Sequence, residues 1–477
     1  MTHRPLLALA MTLFTCLGAN AAPMSNDAAH TLAHDIFKQL IEINTSEAGP
    51  GSTPAAEAMA QRLRDAGFAP ADIQVLGPDD RKKNLVVRLR GTGKKKPVLL
   101  IGHLDVVAAL RSDWTTDPYQ FVEKDGYFYG RGTQDMKDGD SIMMTTLIRF
   151  KQEGLRLDRD IILALTADEE SGSSNGVEWL LKNQRALVDA EFVLNHDGGG
   201  ILLENGKPTE VAITASEKVY ADFSFTAKNP GGHSSLPVKD NAIYALAAAL
   251  QRVAQYDFPF ELNNVTRAYF EQVMKKADPA RAADLKAMLQ TPPDPAAIAR
   301  VSARPTDNSS IRTTCVATRL EGGHANNALP QTARANVNCR ILPGHSAEEV
   351  RQELIKVVQD PAITVQYVAT DGTLADVAPA VRTLIPPPLR EDVLKPLQRI
   401  AGKMWPTAVI VPTMAVGASD GVYTSAAGIP TYLVGGEAIE LSDIRAHGKD
   451  ERIPVTSFYR AVDFYYDYLK AVASYKQ

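Results

Sequence analysis

Residues 97–105 read PVLLIGHLD, an apolar run followed by a histidine and an aspartate two residues apart. Because Pro97–Ile101 is almost wholly apolar, it predicts a strand buried on both faces, as in the parallel sheets of α/β proteins. His103 and Asp105 then follow at the strand end, where α/β sheets form their ligand-binding crevice. An aspartate in that position can accept the second ring N–H of a metal-bound histidine. Alone, so short a motif is more often structural than functional.

On both sides of this segment, strand and helix patterns alternate, which predicts an α/β domain with helices packed on a mainly parallel sheet. The predicted helices are Thr31–Glu42, Ala55–Ala66, Ser141–Lys151 and Val177–Lys182, and the predicted strands are Asn84–Leu89, Asp160–Thr166 and Glu191–Leu194. The same character resumes after about residue 372, with strands near Val409–Val411 and Thr431–Val434 and a closing helix, Val455–Ala471.

Between these parts, from about residue 216, the predicted order is strand, helix, two strands, helix and strand. This order is typical of a ferredoxin-like α+β sandwich inserted into the first domain. The intervening stretch Asp257–Ser310 is polar and is predicted to be partly helical. We therefore predict a discontinuous first domain (22–215 and 373–477) and an inserted domain (216–372). The predicted elements of the inserted domain are Val219–Ala227, Asn241–Tyr256, Arg312–Leu320, Thr332–Ile341, Ala347–Gln359 and Ile363–Ala369.

The chain has 477 residues with 51 basic and 56 acidic side chains, a net charge of −5. This even spread of charge gives no support to binding of nucleic acid or of a membrane surface. Residues 1–21 are predicted to be a signal peptide, because Arg4 precedes the apolar residues 5–18 and Ala19-Asn20-Ala21 has the form of a cleavage site. We therefore expect a periplasmic or secreted protein with no membrane attachment after signal removal.

Two cysteines, Cys315 and Cys339, remain after the predicted cleavage. They lie almost symmetrically about the Asn326-Asn327 loop between two predicted strands. In a hairpin they would lie opposite each other, and an oxidising compartment would allow a disulfide. Two reduced cysteines buried in the sheet are the alternative.

Four further segments place a carboxylate or a histidine at a predicted strand end or beside glycines: GRGTQDMK (130–137), ADEE (167–170), NHDGGG (195–200) and RAHGK (445–449). In the first, glycines allow a tight bend that directs Asp135 inward, although Asp135 could instead cap the next helix. In the second, three adjacent acids after a buried strand need a cation or solvent to compensate them. A solvated acidic loop is the alternative there.

With His103, these segments can supply two histidines, His103 and His447, and three carboxylates, from Asp135, Asp197 and one of the adjacent acids in ADEE, whose neighbour would then face the substrate. Nitrogen and oxygen donors without a thiolate suit a hydrolytic zinc site. If one carboxylate bridges, the set can hold two divalent cations, which activate a water and polarise a carbonyl. We expect Zn²⁺, with Co²⁺ or Mn²⁺ as alternatives.

From about residue 30 to the C-terminus, the chain resembles the zinc exopeptidase and aminoacylase family, which includes carboxypeptidase G, succinyl-diaminopimelate desuccinylase, carnosinase and yeast carboxypeptidase S. The resemblance implies a zinc-exopeptidase-like α/β catalytic domain with a mixed, mainly parallel sheet. It makes the inserted ferredoxin-like domain a lid and dimerisation domain, so that a homodimer is expected. The motifs occur in the family's order: GHLD (102–105), GRGxxDMK (130–137), DEE (168–170), GGHS (231–234), GGHANNALP (322–330), CRILPG (339–344) and GASDG (417–421).

By this resemblance, His103 and Asp197 bind one cation, Glu170 and His447 bind the other, and Asp135 bridges them. The same likeness gives catalytic roles to three further residues, Glu169, Asp105 and His233. Glu169 would be the general base that deprotonates the shared water and then protonates the leaving amine. Asp105 would orient the first histidine. His233 would stabilise the oxyanion, in some members from the partner subunit.

Arg340, Asn327 and Ser419 match positions that contact substrate in this family. A guanidinium suits bidentate binding of a free carboxylate, although Arg340 could instead form an ion pair at a strand edge. We predict hydrolysis of the amide bond of small peptides, as in a dipeptidase or carboxypeptidase. Deacylation of N-acyl amino acids is the alternative. A third possibility is that the protein is an inactive homologue that only binds peptides.

Overall fold

The computed structural model describes residues 23–170, 174–380 and 384–474. The predicted signal peptide, residues 1–21, lies outside the described residues. The described α-helices are α1 (Asn26–Glu42), α2 (Thr53–Asp65), α3 (Lys137–Gln152), α4 (Gly176–Asn183), α5 (Arg185–Val188), α6 (Ala242–Gln255), α7 (Asn264–Met274), α8 (Pro279–Met288), α9 (Pro295–Ser302), α10 (Pro305–Ser310), α11 (Ala347–Val358), α12 (Glu391–Met404), α13 (Gly421–Ala426) and α14 (Val455–Ala473).

The described strands form two large sheets and two small ones. In chain order they are β1 (Ile73–Leu76), β2 (Asn84–Leu89), β3 (Val98–His103), β4 (Val122–Lys124), β5 (Tyr127–Tyr129), β6 (Ile161–Thr166), β7 (Phe192–Asn195), β8 (Gly200–Glu204), β9 (Lys207–Glu217), β10 (Val219–Lys228), β11 (Gly232–His233), β12 (Thr314–Gly322), β13 (Ala328–Leu329), β14 (Thr332–Ile341), β15 (Ile363–Val368), β16 (Leu374–Ala375), β17 (Val409–Ala415), β18 (Thr431–Leu433), β19 (Ala438–Glu440) and β20 (Arg452–Pro454).

The larger sheet has the strand order β1-β2-β6-β3-β7-β18-β9-β8-β19, and β17 pairs with β9. Its centre, β6-β3-β7-β18, is parallel, whereas the strands next to this centre, β2 and β9, pair antiparallel with it. All six residues of β3 are buried. Leu100 packs into the core that includes α1, α3 and α14, and Leu99 and Ile101 pack into the core that includes α4. The carboxyl ends of β3, β6 and β7 therefore meet at one edge of a covered sheet.

The second sheet is antiparallel, in the order β12-β14-β10-β15-β16. Helices α6 and α11 cover one face, where Phe223 and Phe225 share a core with Leu246 and Leu354. The first four strands have the ferredoxin-like order, which confirms the predicted fold class. The face with Tyr220 and Arg340 lies on the opposite side of this sheet, because those residues alternate with the buried ones.

Two expectations need correction in detail. The stretch after α6 is more helical than predicted: α7 to α10 form a separate small core that includes Phe270, Leu285 and Val301. Strands β8 and β9 are among those that were not predicted, because polar residues and the three glycines Gly198 to Gly200 leave no strand pattern there. Cys315 and Cys339 lie directly opposite in the β12–β14 ladder and form a disulfide.

Candidate metal centre

The parallel edge brings the five predicted ligands together in two groups that share one carboxylate. The first group is His103, Asp135 and Asp197, and the second is Asp135, Glu170 and His447. Within each group, the potential ligand atoms lie within 4.8 Å of one another. The strand order explains the convergence, since His103 ends β3, Glu170 follows β6 and Asp197 follows β7.

His103 is buried, and each of its ring nitrogens lies within hydrogen-bond distance of an oxygen atom. Its Nε2 lies 3.0 Å from Asp135 Oδ1, and its Nδ1 lies 3.0 Å from the backbone oxygen of Asp105. The Asp105 carboxylate is farther away, with Oδ1 at 3.9 Å from Nδ1. The Asp105 carbonyl oxygen is therefore the nearer partner of the ring, and the orienting role of the Asp105 carboxylate stays a prediction.

The Asp105 carboxylate instead fixes the turn that carries the two adjacent glutamates. Its oxygens accept the backbone N–H groups of Glu169 at 3.1 Å and Glu170 at 3.0 Å. Asp168 anchors the same turn from the other side, accepting from Lys82 Nζ at 2.8 Å. Asp168 has a φ of 64°, which non-glycine residues rarely adopt. The turn places the Glu170 carboxylate beside His447, with 3.0 Å between Glu170 Oε1 and His447 Nε2.

Glu169 lies beside this cluster and has no hydrogen-bond or ion-pair partner for its carboxylate among the residues that the structure describes. Burial, together with the nearby Asp420, Glu170 and Asp135, raises the pKa of Glu169 to about 8, although His103 opposes the shift. A carboxyl group with a pKa near neutrality can both accept and return a proton. This placement suits the predicted general base.

Asp135 is directed inward by a partner that sequence reasoning missed. Glu451 is fully buried and accepts backbone N–H groups from Gly132, Gln134 and Asp135 while pairing with Arg131. It thereby holds the glycine-rich turn against the loop that carries His447. The alternative reading of Asp135 as a helix cap is wrong, since Met136 precedes α3 and no side chain caps that helix. The only sequence signal for Glu451 was its place four residues after His447.

Asp197 and Ser419 belong to one buried hydrogen-bond chain. Asn195 Oδ1 accepts from the Asp197 backbone at 3.0 Å, and Asn195 Nδ2 donates to Ser419 Oγ at 2.9 Å. Ser419 Oγ donates to Glu217 Oε1 at 2.7 Å and accepts from the Gly421 backbone at 3.0 Å. A hydroxyl offers one donor and two acceptor positions. All three are used within the chain, and the predicted role of Ser419 in substrate binding stays a prediction.

His233 and Asn327 lie together in the lid, outside the cluster of ligands. Strands β11 and β13 pair His233 with Ala328, and Ser234 N donates to the Asn327 backbone oxygen at 3.1 Å. His233 is exposed, and its Nδ1 accepts from Ser235. Arg340 lies on the open face of the lid sheet, where its guanidinium stacks 4.7 Å from the Tyr220 ring centroid. The alternative of a strand-edge ion pair is not found for Arg340 among the described residues.

The charges of the site fit a pair of divalent cations. Burial and the nearby Asp135 raise the pKa of Asp197 well above its ordinary value, and the same two causes raise the pKa of Glu170. The hydrogen bond to Asp135 raises the pKa of His447 to about 9. So many buried carboxylates are unfavourable unless positive charge compensates them. Five nitrogen and oxygen donors in two groups that share Asp135 suit two hydrolytic metal ions.

Comparison with known proteins agrees with this geometry. The sequence matches peptidase family M20/M25/M40 over residues 99–471. The chain belongs to this family. The probable carboxypeptidase S-like 2 of Dictyostelium discoideum is 29% identical over 82% of this chain and 75% of its own length. The human N-fatty-acyl-amino acid synthase/hydrolase PM20D1 is 26% identical over 79% of this chain and 74% of its own length.

A solved M20 family metallo-carboxypeptidase from Sulfolobus solfataricus has the same fold. It superposes with a TM-score of 0.67 at 19% identity, over 92% of this chain and 99% of that chain. Family membership and a site whose ligands suit two metal ions together show that this protein is a metal-dependent hydrolase of small peptides or N-acyl amino acids. In the described part of the chain, no helix combines the length and apolarity that a membrane span requires.

Proposed function

We propose that this protein is a zinc-dependent exopeptidase that removes a terminal residue from small peptides, acting as a dipeptidase or carboxypeptidase. The observation that carries the proposal is the pair of ligand groups joined by Asp135, with the Glu169 carboxylate beside them. Two zinc ions bound there would activate a water and polarise the scissile carbonyl. Zinc is favoured because the donors are imidazole nitrogens and carboxylates in closely spaced groups.

The protein's own residues would then move the proton and hold the substrate. Glu169 takes a proton from the attacking water and returns it to the leaving nitrogen, which its raised pKa favours. Asp105 keeps Glu169 and Glu170 in fixed directions through their backbone N–H groups. Arg340 would bind the free carboxylate of the substrate, Asn327 would contact the substrate, and His233 would stabilise the oxyanion, from the partner subunit if the protein is a dimer.

Deacylation of N-acyl amino acids is the second candidate, and one observation favours it. The human relative at 26% identity is an N-fatty-acyl-amino acid synthase/hydrolase by name. Both reactions break an amide bond next to a free carboxylate, so both would use the same residues. A panel of dipeptides and N-acyl amino acids, assayed with the zinc-loaded protein, separates them by the ratio of kcat/KM values.

Metal removal and one substitution test the mechanism. Dialysis against a chelator should abolish activity, and Zn²⁺ or Co²⁺ should restore it as two ions per chain bind, measured by elemental analysis. Glu169→Gln should keep both ions but lose on the order of 10²–10⁴-fold in kcat, because the general base is gone. Glu123→Gln, an exposed acid on β4, is the matched control. Full activity after thorough metal removal would contradict the proposal.

We also propose that the protein is exported and works in the periplasm or the medium. The apolar residues 5–18, followed by the Ala19-Asn20-Ala21 site, support this location. The Cys315–Cys339 disulfide agrees with an oxidising compartment. Expression of the full chain in a bacterial host, followed by N-terminal sequencing, should give a mature protein starting at Ala22. An uncleaved cytoplasmic product would contradict this proposal.

A further inference from the structure

His196 stands between the end of β7 and the ligand Asp197, and its imidazole is buried. Its Nε2 lies 2.7 Å from Glu437 Oε1. A carboxylate can only accept a hydrogen bond, so Nε2 carries the proton and donates it to this bond. The Glu437 carboxylate is buried as well and accepts from the backbone N–H of Gly436 at 2.9 Å. The imidazole is therefore held in one orientation beside the metal centre.

The ring of His196 packs against the first turn of α3. A Cβ on Gly139 would lie 2.4 Å from Cδ2 and 2.9 Å from Cγ of this ring, so only glycine allows the helix to come so close. The ring of Tyr465 lies against His196 as well, with 4.9 Å between the ring centroids. Helix α3 begins two residues after Asp135, the ligand that the two groups share. The imidazole thus separates the helix that follows Asp135 from the segment that carries Asp197.

The same turn of α3 also contacts the strand that carries the third ligand of the first group. A Cβ on Gly102 would lie 2.4 Å from Asp140 Oδ1, and Gly102 directly precedes His103 at the end of β3. The first turn of α3 therefore contacts the strand end before His103 and the imidazole before Asp197. Because protein interiors are close-packed, a change of volume at such a contact moves its neighbours. The size of the His196 side chain should therefore affect the spacing of the first group of ligands.

We propose that His196, held by Glu437, is a positioning residue that sets the distance between Asp135 and Asp197, and with it the affinity of the first group for its metal ion. The other ligands of the second group are carried by the turn after β6 and the loop before β20, and Asp135 itself is fixed by Glu451. The second ion should therefore not depend on His196. The inference rests on the proposed function only through the two metal ions.

The test uses two variants that each keep one complete group of ligands. His447→Ala keeps the first group and Asp197→Ala keeps the second. The Zn²⁺ affinity of each is measured by competition with a chromophoric chelator, with and without His196→Ala. We expect His196→Ala to weaken Zn²⁺ binding on the order of 10–100-fold in the first background, as is usual for residues that orient a metal ligand, and to leave the second background unchanged. An equal change in both backgrounds, or no change in either, would overturn the proposal.

Two further variants serve as controls. His196→Gln keeps an N–H donor for Glu437 and should recover part of the affinity of the first group; it replaces His196→Ala in both backgrounds if the alanine variant does not fold. His345→Ala removes a partly exposed histidine of the lid that lies 2.8 Å from Glu261, and it should leave both affinities unchanged. If wild type binds two ions but cleaves no peptide, the proposed function fails, and the affinities still decide the inference.

A double-mutant cycle tests the contact between the imidazole and α3. Alanine is a better helix former than glycine, yet the Cβ of Gly139→Ala would meet the ring of His196. Gly139→Ala should therefore weaken Zn²⁺ binding by the first group, measured in the His447→Ala background. Its effect should be much smaller once His196→Ala has made room, so that the two losses are not additive. Additive losses would overturn the assignment of His196 as the residue that sets this spacing.

Discussion

A single carboxylate controls the direction of two neighbouring glutamates in this site. Asp105 accepts both backbone N–H groups, from Glu169 and Glu170, at 3.1 and 3.0 Å. Because the two amides are fixed in one turn, one glutamate is placed among the metal ligands and the other beside them. We therefore expect Asp105 to act on catalysis through these two backbone groups.

Asp105→Asn tests this positioning role. The amide keeps one acceptor oxygen but turns an N–H₂ donor toward a backbone N–H, so one hydrogen bond is lost and two donors face each other. We expect kcat/KM to fall on the order of 10–100-fold, as is usual when a residue that supports a metal site is altered, with metal content unchanged. The control is Asp278→Asn, because exposed Asp278 accepts two backbone N–H groups at the start of α8. Wild-type activity of Asp105→Asn would contradict the assignment.

At the scale of elements, local pattern predicted most of the fold. Apolar runs and helical periodicity identified β2, β3, β6, β14 and α14 to within a few residues. The spacing of the apolar residues that each of these elements buries is visible in the sequence. The positions of His103, Glu170 and Asp197 agree with the same pattern, since they stand where strands stop, whereas Asp135 and His447 lie in loops. The order of strands in the lid followed from the order of elements along the chain.

What the sequence could not predict depends on contacts between distant segments. Glu451 and Asp135 meet across 316 residues, and no local period marks such a pair. Helix α12 was not predicted because Pro396 interrupts its pattern.

The Cys315–Cys339 disulfide gives a prediction for the lid. It joins the edge strand β12 to β14 and closes a loop with a sequence separation of 24. A crosslink of that size stabilises a fold by about 3 kcal/mol through the entropy of the unfolded chain. The double variant Cys315→Ala/Cys339→Ala should therefore unfold at lower denaturant concentration. Wild type treated with a phosphine reductant should shift similarly, and the double variant should not respond to the reductant. An equal response of both proteins would contradict a stabilising disulfide.

At the scale of the whole molecule, the lid presents an uncovered edge. In the described part of the chain, strand β12 pairs only with β14 and ends the five-stranded sheet. Val316 and Leu320 on this strand are exposed, as are Ile243 and Tyr244 at the start of the neighbouring α6. Proteins rarely leave a long apolar edge strand open, because it invites pairing with another chain. We propose that a second copy of this chain covers β12 and α6, forming a homodimer with two-fold symmetry.

Such a dimer would explain the position of His233, which is exposed and contacts none of the metal ligands of its own chain among the described residues. We propose that it completes the site of the partner subunit by donating to the developing oxyanion. His233→Ala and Glu169→Gln should each be nearly inactive as homodimers. A heterodimer of the two, purified through two different tags, should regain about half of wild-type activity, because one of its two sites then has both residues intact. If His233 acts within its own chain, neither site is complete and the heterodimer stays inactive. Light scattering of wild type and of Leu320→Lys, which should favour the monomer, checks in parallel that β12 carries the interface.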